Sequence, residues 1–276
     1  MTTAANTTVL TGVPALAPLL ARGALLSPFK RPRPDAGHPR TRLVLPGLRV
    51  DLARLAAYER VCGFATGPDA LPVTYPHVLG FPLAMRLMSG RDFPLPLLGL
   101  VHTSIGITRW ATLPASGEYD LSVRIAGLVP HRRGTEAAVV TELHGGGEVL
   151  WVSRSTYLAR HRTPEQAAEA PRREPEPLPV RDEWRLGGDL GRRYGAASGD
   201  RNPIHLHPLT ARPFGFRAPS RTACGRWPGA WPRTARPRRW WWAPSSGRRY
   251  RCRGRWCTGR RTAASNCGTH RAADCI

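Results

Sequence analysis

Between residues 50 and 160 the spacing of apolar positions changes from a helical to a strand period. Leu52 and Leu55 follow Asp51, whose short carboxylate can cap a helix that Gly63 then stops. Tyr75 to Ser89 holds a second apolar run, Val78 to Met88, long enough to predict a largely buried helix despite Gly80 and Pro82. Four strand-like stretches come next. Val101 to Trp110 precedes Tyr119 to Ala126, where Tyr119, Leu121, Val123 and Ile125 alternate with Asp120, Ser122 and Arg124. Thr135 to His144 and Glu148 to Ala159 flank Gly145-Gly146-Gly147, which marks a hairpin. Helix first and antiparallel strands afterwards defines one α+β unit over residues 1–160.

Residues 161–180 carry Pro164, Pro171, Pro175, Pro177 and Pro179 among Glu and Arg, the composition of a linker. A second unit opens at 181, with a short helix predicted from about Asp189 to Ala197. That helix leads into Gly199-Asp200-Arg201-Asn202-Pro203-Ile204-His205, where a carboxylate and an imidazole stand five positions apart across a turn. Pro203 fixes its own φ and pushes Asn202 out of helical geometry, while Asp200 and Asn202 can bond to nearby backbone and hold a bend. A bend lets Asp200 and His205 meet as an acid/base pair, with Gly199, Asn202 and Pro203 shaping the turn. A bare Asp-x-Asn-Pro is otherwise an ordinary element boundary, and a lone His is ordinarily structural.

The stretch from Tyr194 to His205, followed by Leu209-Thr210-Ala211-Arg212 and Phe214-Gly215-Phe216, resembles the signature of the MaoC-like hydratases, the (R)-specific enoyl-thioester hydratase/dehydratase family. The match runs from Tyr194 to Phe216 and departs from the family at Pro213. The resemblance implies a double hot-dog fold, each half an antiparallel sheet wrapped around a helix. It also implies that Asp200 and His205 are the catalytic dyad acting on one water, and that the first half is catalytically silent and gives room to the acyl chain. His77, Phe81, Met85 and Met88 are candidates to line that room, but each reads as core and receives no site role. The substrate would be a trans-2-enoyl or (R)-3-hydroxyacyl thioester of coenzyme A or acyl carrier protein. Arg192, Arg193 and Arg201 are candidates for its phosphates. The chemistry calls for no metal and no other cofactor. Which of Asp200 and His205 is the base stays open, because that depends on their pKa values and on the water.

Charge changes the picture at the other end. Of the formal net charge of +22, residues 220–276 carry +13. Those residues contain no Leu, Val, Phe, Met, Lys or Glu, yet hold fourteen Arg, six of nine Trp and five of six Cys, so they cannot build an aliphatic core. Arg interleaved with Trp suggests nucleic-acid binding, but no RNA-binding signature accompanies it. Cys252, Cys257, Cys267, His270 and Cys275 have spacings that match no compact zinc module. The genetic code offers a simpler account. Trp240-Trp241-Trp242 must be encoded TGGTGGTGG, which spells Val-Val two nucleotides on. With suitable third bases, Ser220 to Trp227 then gives Pro-His-Gly-Met-Trp-Thr-Val, and the stretch after Ala243 gives a second landmark of the same family. The tail therefore reads as out of frame from about residue 219, which leaves the second hot dog incomplete and 220–276 poorly ordered.

No apolar run approaches the ~20 residues of a membrane span, and the stretch before Ser27 lacks a basic leader, which makes the cytoplasm the expected location. Cys62 stands alone outside the tail, so nothing there implies disulfides. Two other functions compete: a non-catalytic hot-dog scaffold, which would form a homodimer and bind thioesters without turnover, and nucleic-acid binding through the tail.

Overall fold

The computed structural model describes residues 6–163, 188–201 and the strand at 238–242, together with His207, Leu209 and Arg212. Its sheet has seven strands in the order β1-β2-β4-β5-β6-β3-β7. These are β1 (Thr7–Val9), β2 (Arg42–Arg49), β3 (Val101–Arg109), β4 (Glu118–His131), β5 (Gly134–Gly145), β6 (Glu148–Arg160) and β7 (Arg238–Trp242). β1 joins β2 in parallel, and every other pairing is antiparallel. The helices are α1 (Leu16–Leu26), α2 (Leu52–Cys62), α3 (Tyr75–Met88) and α4 (Leu190–Ser198).

Capping sets α2 as its sequence predicts. The Asp51 carboxylate accepts from the N–H groups of Ala53 and Arg54, and Gly63 ends the helix at φ 72°. Leu55 is buried, whereas Leu52 faces outward.

α3 is the central helix, packed across β4 and β5. Gly80, a poor helix former, sits where a Cβ would come within 2.6 Å of Thr141 Cγ2, so the glycine lets helix and sheet approach. The Trp151 indole on β6 donates to the Val73 carbonyl just before the helix, at 2.8 Å. At the far end Lys30 Nζ donates to the carbonyls of Met88 and Gly90, at 3.3 and 2.9 Å, and lies over the Phe93 ring. Burial lowers the Lys30 ammonium to about 8.

The inner face of β4 follows its alternation: Tyr119, Leu121, Val123 and Ile125 are all in the core. The strand itself runs five residues past Ala126. Pro130 is tolerated there because β2 pairs with β4 only as far as Arg124, so that among the described residues one side of β4 has no ladder beyond that point. The β5–β6 hairpin turns through Gly146 and Gly147, at φ 59° and 83°, as a two-residue type I′ connection requires. β1, α1 and β2 were not predicted. In β2 the Pro46-Gly47 pair, which resembles a turn, is a bulge between Leu45 and Leu48, with Gly47 at φ 64° and its N–H on the Asp120 carboxylate.

From the tail, Arg238–Trp242 are described as β7, whose backbone pairs with Ile105–Arg109 of β3. The linker beyond residue 163 and the rest of the tail lie outside the described residues, as does most of the second unit.

Candidate active site

α4 forms where the sequence predicts it and is anchored on the first unit. Its Tyr194 is buried against Tyr58 of α2, with ring centroids 6.2 Å apart, and Tyr58 in turn meets Tyr75 at the start of α3. The Tyr58 hydroxyl and the Thr74 hydroxyl lie 2.7 Å apart. This aromatic column fixes the end of α4 relative to the central helix.

Three local bonds set the turn after α4. Ser198 Oγ donates back to the Tyr194 carbonyl at 2.8 Å, and the same oxygen accepts from the Asp200 N–H at 3.1 Å. Gly199 adopts φ 82° and donates its N–H to the Gly195 carbonyl. Asp200 therefore leaves a left-handed glycine cap, half-buried, with Arg201 exposed beyond it. Asn202, Pro203 and His205 lie outside the described residues, so the partnership between Asp200 and His205 is untested by this geometry. Arg192 and Arg193 are exposed on α4, where Arg193 pairs loosely with Asp189 at 3.9 Å.

A polar patch on the first unit lies within electrostatic reach of Asp200. Tyr157 of β6 is buried, and its phenol is held well above its ordinary range by burial first and by the Asp200 charge second. The Tyr157 ring stacks on His102 of β3 at 4.7 Å, and His102 stacks on His77 of α3 at 5.6 Å. Burial lowers the His77 imidazole to about 4. Its Nδ1 is 3.5 Å from Ser153 Oγ, and a little of its surface stays open. Met85 and Met88 are plain core, as expected, but His77 belongs to this polar stack.

Neither His102 nor Tyr157 stands out in the sequence. Both sit on apparently ordinary strands, and what joins them is a register shift between β3 and β6 that no local pattern announces. Among the described residues no cluster of His, Cys, Asp or Glu could hold a metal ion, and no helix is long and apolar enough to cross a membrane.

No family model matches the chain. The curated 3-hydroxyacyl-thioester dehydratase X of Mycobacterium tuberculosis is 36% identical over 187 residues. The aligned region is 67% of this chain and 66% of that protein, so this chain spans just under two thirds of the relative's length. The crystal structure of HtdX of Mycobacterium tuberculosis matches with a TM-score of 0.57 and 34% identity, covering 65% of this chain and 72% of that one. A MaoC-like dehydratase from Phytophthora capsici shares the fold with a TM-score of 0.52 at 18% identity, over 69% of this chain and 72% of its own.

Proposed function

Because this chain belongs to the MaoC-like hot-dog dehydratases, we propose that it interconverts trans-2-enoyl and (R)-3-hydroxyacyl thioesters in fatty-acid metabolism. The observation that carries the reading is Asp200 itself. The first acidic residue of the family signature stands on a glycine-capped turn at the end of a helix docked to a hot-dog unit. A relative 36% identical bears the name of a 3-hydroxyacyl-thioester dehydratase, which supports the same chemistry.

Hydration needs a base to take a proton from water, a proton for Cα and a donor for the thioester carbonyl. Asp200 and His205 supply the first two in this reading, in an order that their pKa values decide. Dehydration runs the same proton transfers backwards. The acyl group arrives on coenzyme A or acyl carrier protein, and neither a metal nor a redox cofactor takes part. The cytoplasm is the proposed location, and a homodimer is compatible with the fold class.

We further propose the division into a silent hot dog over 1–160, a linker over 161–180, the start of the catalytic hot dog over 181–219 and an out-of-frame tail over 220–276. In the family the next landmark begins a helix whose first N–H polarises the thioester carbonyl. A chain that lacks it keeps its dyad residues but loses that donor, so this polypeptide is expected to work weakly. The test is hydration of crotonyl-CoA, followed by absorbance, with the chain as written and with the frame restored after residue 219. Thioester binding without turnover in both forms would favour a scaffold. Tight, salt-sensitive nucleic-acid binding that disappears on deleting 220–276 would favour the tail as the functional part.

A further inference from the structure

A surface helix ordinarily buries one apolar stripe and turns polar residues to water, whereas a helix that is apolar all round is normally covered on every side. α1 fits neither description. Between Val9 and Phe29 the only charged residue is Arg22. One side of the helix packs on the protein: Leu16, Leu19 and Leu20 lie against the core, and Gly23 is buried where a Cβ would run into the Leu97 side chain. Ser27 Oγ fastens the C-terminal end, donating to the Gly23 carbonyl at 2.6 Å and accepting from the Leu98 N–H at 2.9 Å. These contacts fix which side of α1 faces out.

The outward side is an apolar ridge. Ala17, Ala21 and Leu25 recur every four residues and so stand one above the other, with Val13 leading in and Phe29, in the 3₁₀ turn Ser27–Phe29, leading out. All five are exposed, and the large side chains most of all, with Leu25 at 74% and Phe29 at 82%. Apolar side chains exposed singly need no explanation, but a row of them on a fixed helix marks a contact surface. The charge around the ridge has one prevailing sign. Arg22 lies on the helix, Lys30, Arg31 and Arg33 follow Phe29, and the bond from Lys30 Nζ to the Gly90 carbonyl brings Arg91 to the same end, against Asp35 and Asp92.

Shape and charge together choose the occupant. A second copy seated on the ridge would bring two sets of Arg22, Arg31 and Arg33 together, and a convex ridge is not a groove for a peptide. A flat, deformable surface with negative charge outside and an apolar interior meets both features at once. We propose that α1 docks the protein on anionic bilayers, with Leu25 and Phe29 inserted at the acyl boundary and Arg22, Arg31 and Arg33 on lipid phosphates. At eleven residues the helix lies on the membrane and does not cross it. Docking of this kind is independent of thioester turnover.

The test uses the full chain with vesicles of phosphatidylcholine alone or mixed with phosphatidylglycerol. Residues 220–276 carry +13 and would bind the mixed vesicles by charge alone, so co-sedimentation is measured at low salt and at about 1 M salt, where the Debye length is ~3 Å. The site is also read directly, by the 19F signal of 4-fluorophenylalanine placed at Phe29 in the presence of nitroxide-labelled lipid. The mixed vesicles are expected to bind the chain more tightly than phosphatidylcholine and to broaden that signal. Leu25→Glu with Phe29→Glu, both at exposed positions, should lower the partition coefficient at least ~10-fold at either salt. Arg31→Gln and Arg33→Gln should each lower it about fivefold at low salt only. Val149→Glu, at a β6 residue that is 40% exposed, should leave it unchanged. Vesicle binding that survives the double Glu variant, a 19F signal indifferent to labelled lipid, or no vesicle binding at all overturns the proposal. So does a dimer in sedimentation velocity that the double Glu variant dissociates while the wild type ignores vesicles, since the ridge then belongs to a second copy.

Discussion

Gly199 and Leu16 meet so closely that a Cβ on the glycine would lie 2.7 Å from Leu16 Cδ1. Gly199 is also at φ 82°, where side chains are strained. Two independent constraints therefore require glycine at the residue that aims Asp200. Gly199→Ala is expected to cost about 1–2 kcal/mol from the left-handed backbone, with the contact adding only what a shift of the Leu16 methyl costs. Urea unfolding measures the loss. The larger effect should fall on activity, because relieving the strain rotates Asp200.

Asp200→Asn and His205→Ala are each expected to reduce kcat/KM by ~10²–10⁴-fold, the usual contribution of a positioned acid or base. Stopped-flow hydration of crotonyl-CoA by the frame-restored protein measures both. Retained turnover in either variant removes that residue from the dyad.

Acid should weaken the first unit through His77. Its imidazole is held neutral down to about 4 in the folded chain, against an ordinary value of 6.5. The unfolded chain therefore binds a proton between those values that the folded chain refuses. Stability from this group is complete above pH 6.5 and declines as pH falls toward 4, by at most about 3 kcal/mol. His77→Gln should flatten the pH dependence of Tm in that window. An unchanged slope would mean that other groups carry the acid response.

Much of the first unit was legible because its signals are local. Asp51 and Gly63 bracket α2, three glycines mark the β5–β6 turn, and β4 alternates cleanly. The failures share one cause. Pro46-Gly47, Pro130 and Thr103 each break a local rule, and each is accommodated by a neighbouring strand that the sequence does not place next to them. The candidate site divides the same way. Asp200 announces itself through a contiguous motif, whereas His77, His102 and Tyr157 are scattered over eighty residues and become a group only when α3, β3 and β6 come together. Lys30, the sole lysine, gave no sign in sequence that it grips the end of the central helix.

Asp51→Ala is expected to destabilise the unit by about 1 kcal/mol, since the Ala53 and Arg54 N–H groups lose their acceptor. The consequence should reach the site. α2 carries Tyr58, which seats Tyr194 and so α4, and a frayed α2 loosens the helix that presents Asp200. Chemical denaturation gives the stability change, and hydrogen exchange at the α4 amides shows whether it propagates. Protection of α4 equal to wild type would mean that α4 is held without help from the α2 cap.

Restoring the reading frame after residue 219 should raise hydration of crotonyl-CoA by at least ~10²-fold, the effect of one preorganised donor to a developing oxyanion. The reason is chemical rather than a matter of charge. Asp200 is present on its turn in the written chain, so under the proposed reading proton transfer has its residue, and only the restored frame would supply the helix start that faces the thioester carbonyl. Deleting 220–276 instead removes thirteen of the twenty-two net positive charges without supplying that donor, and should leave the rate as low as before. The two variants thus separate a harmful tail from a missing helix. Equal rates in the written and restored chains would mean that residues 220–276 are the protein's own sequence, in frame, and that the carbonyl is polarised from elsewhere.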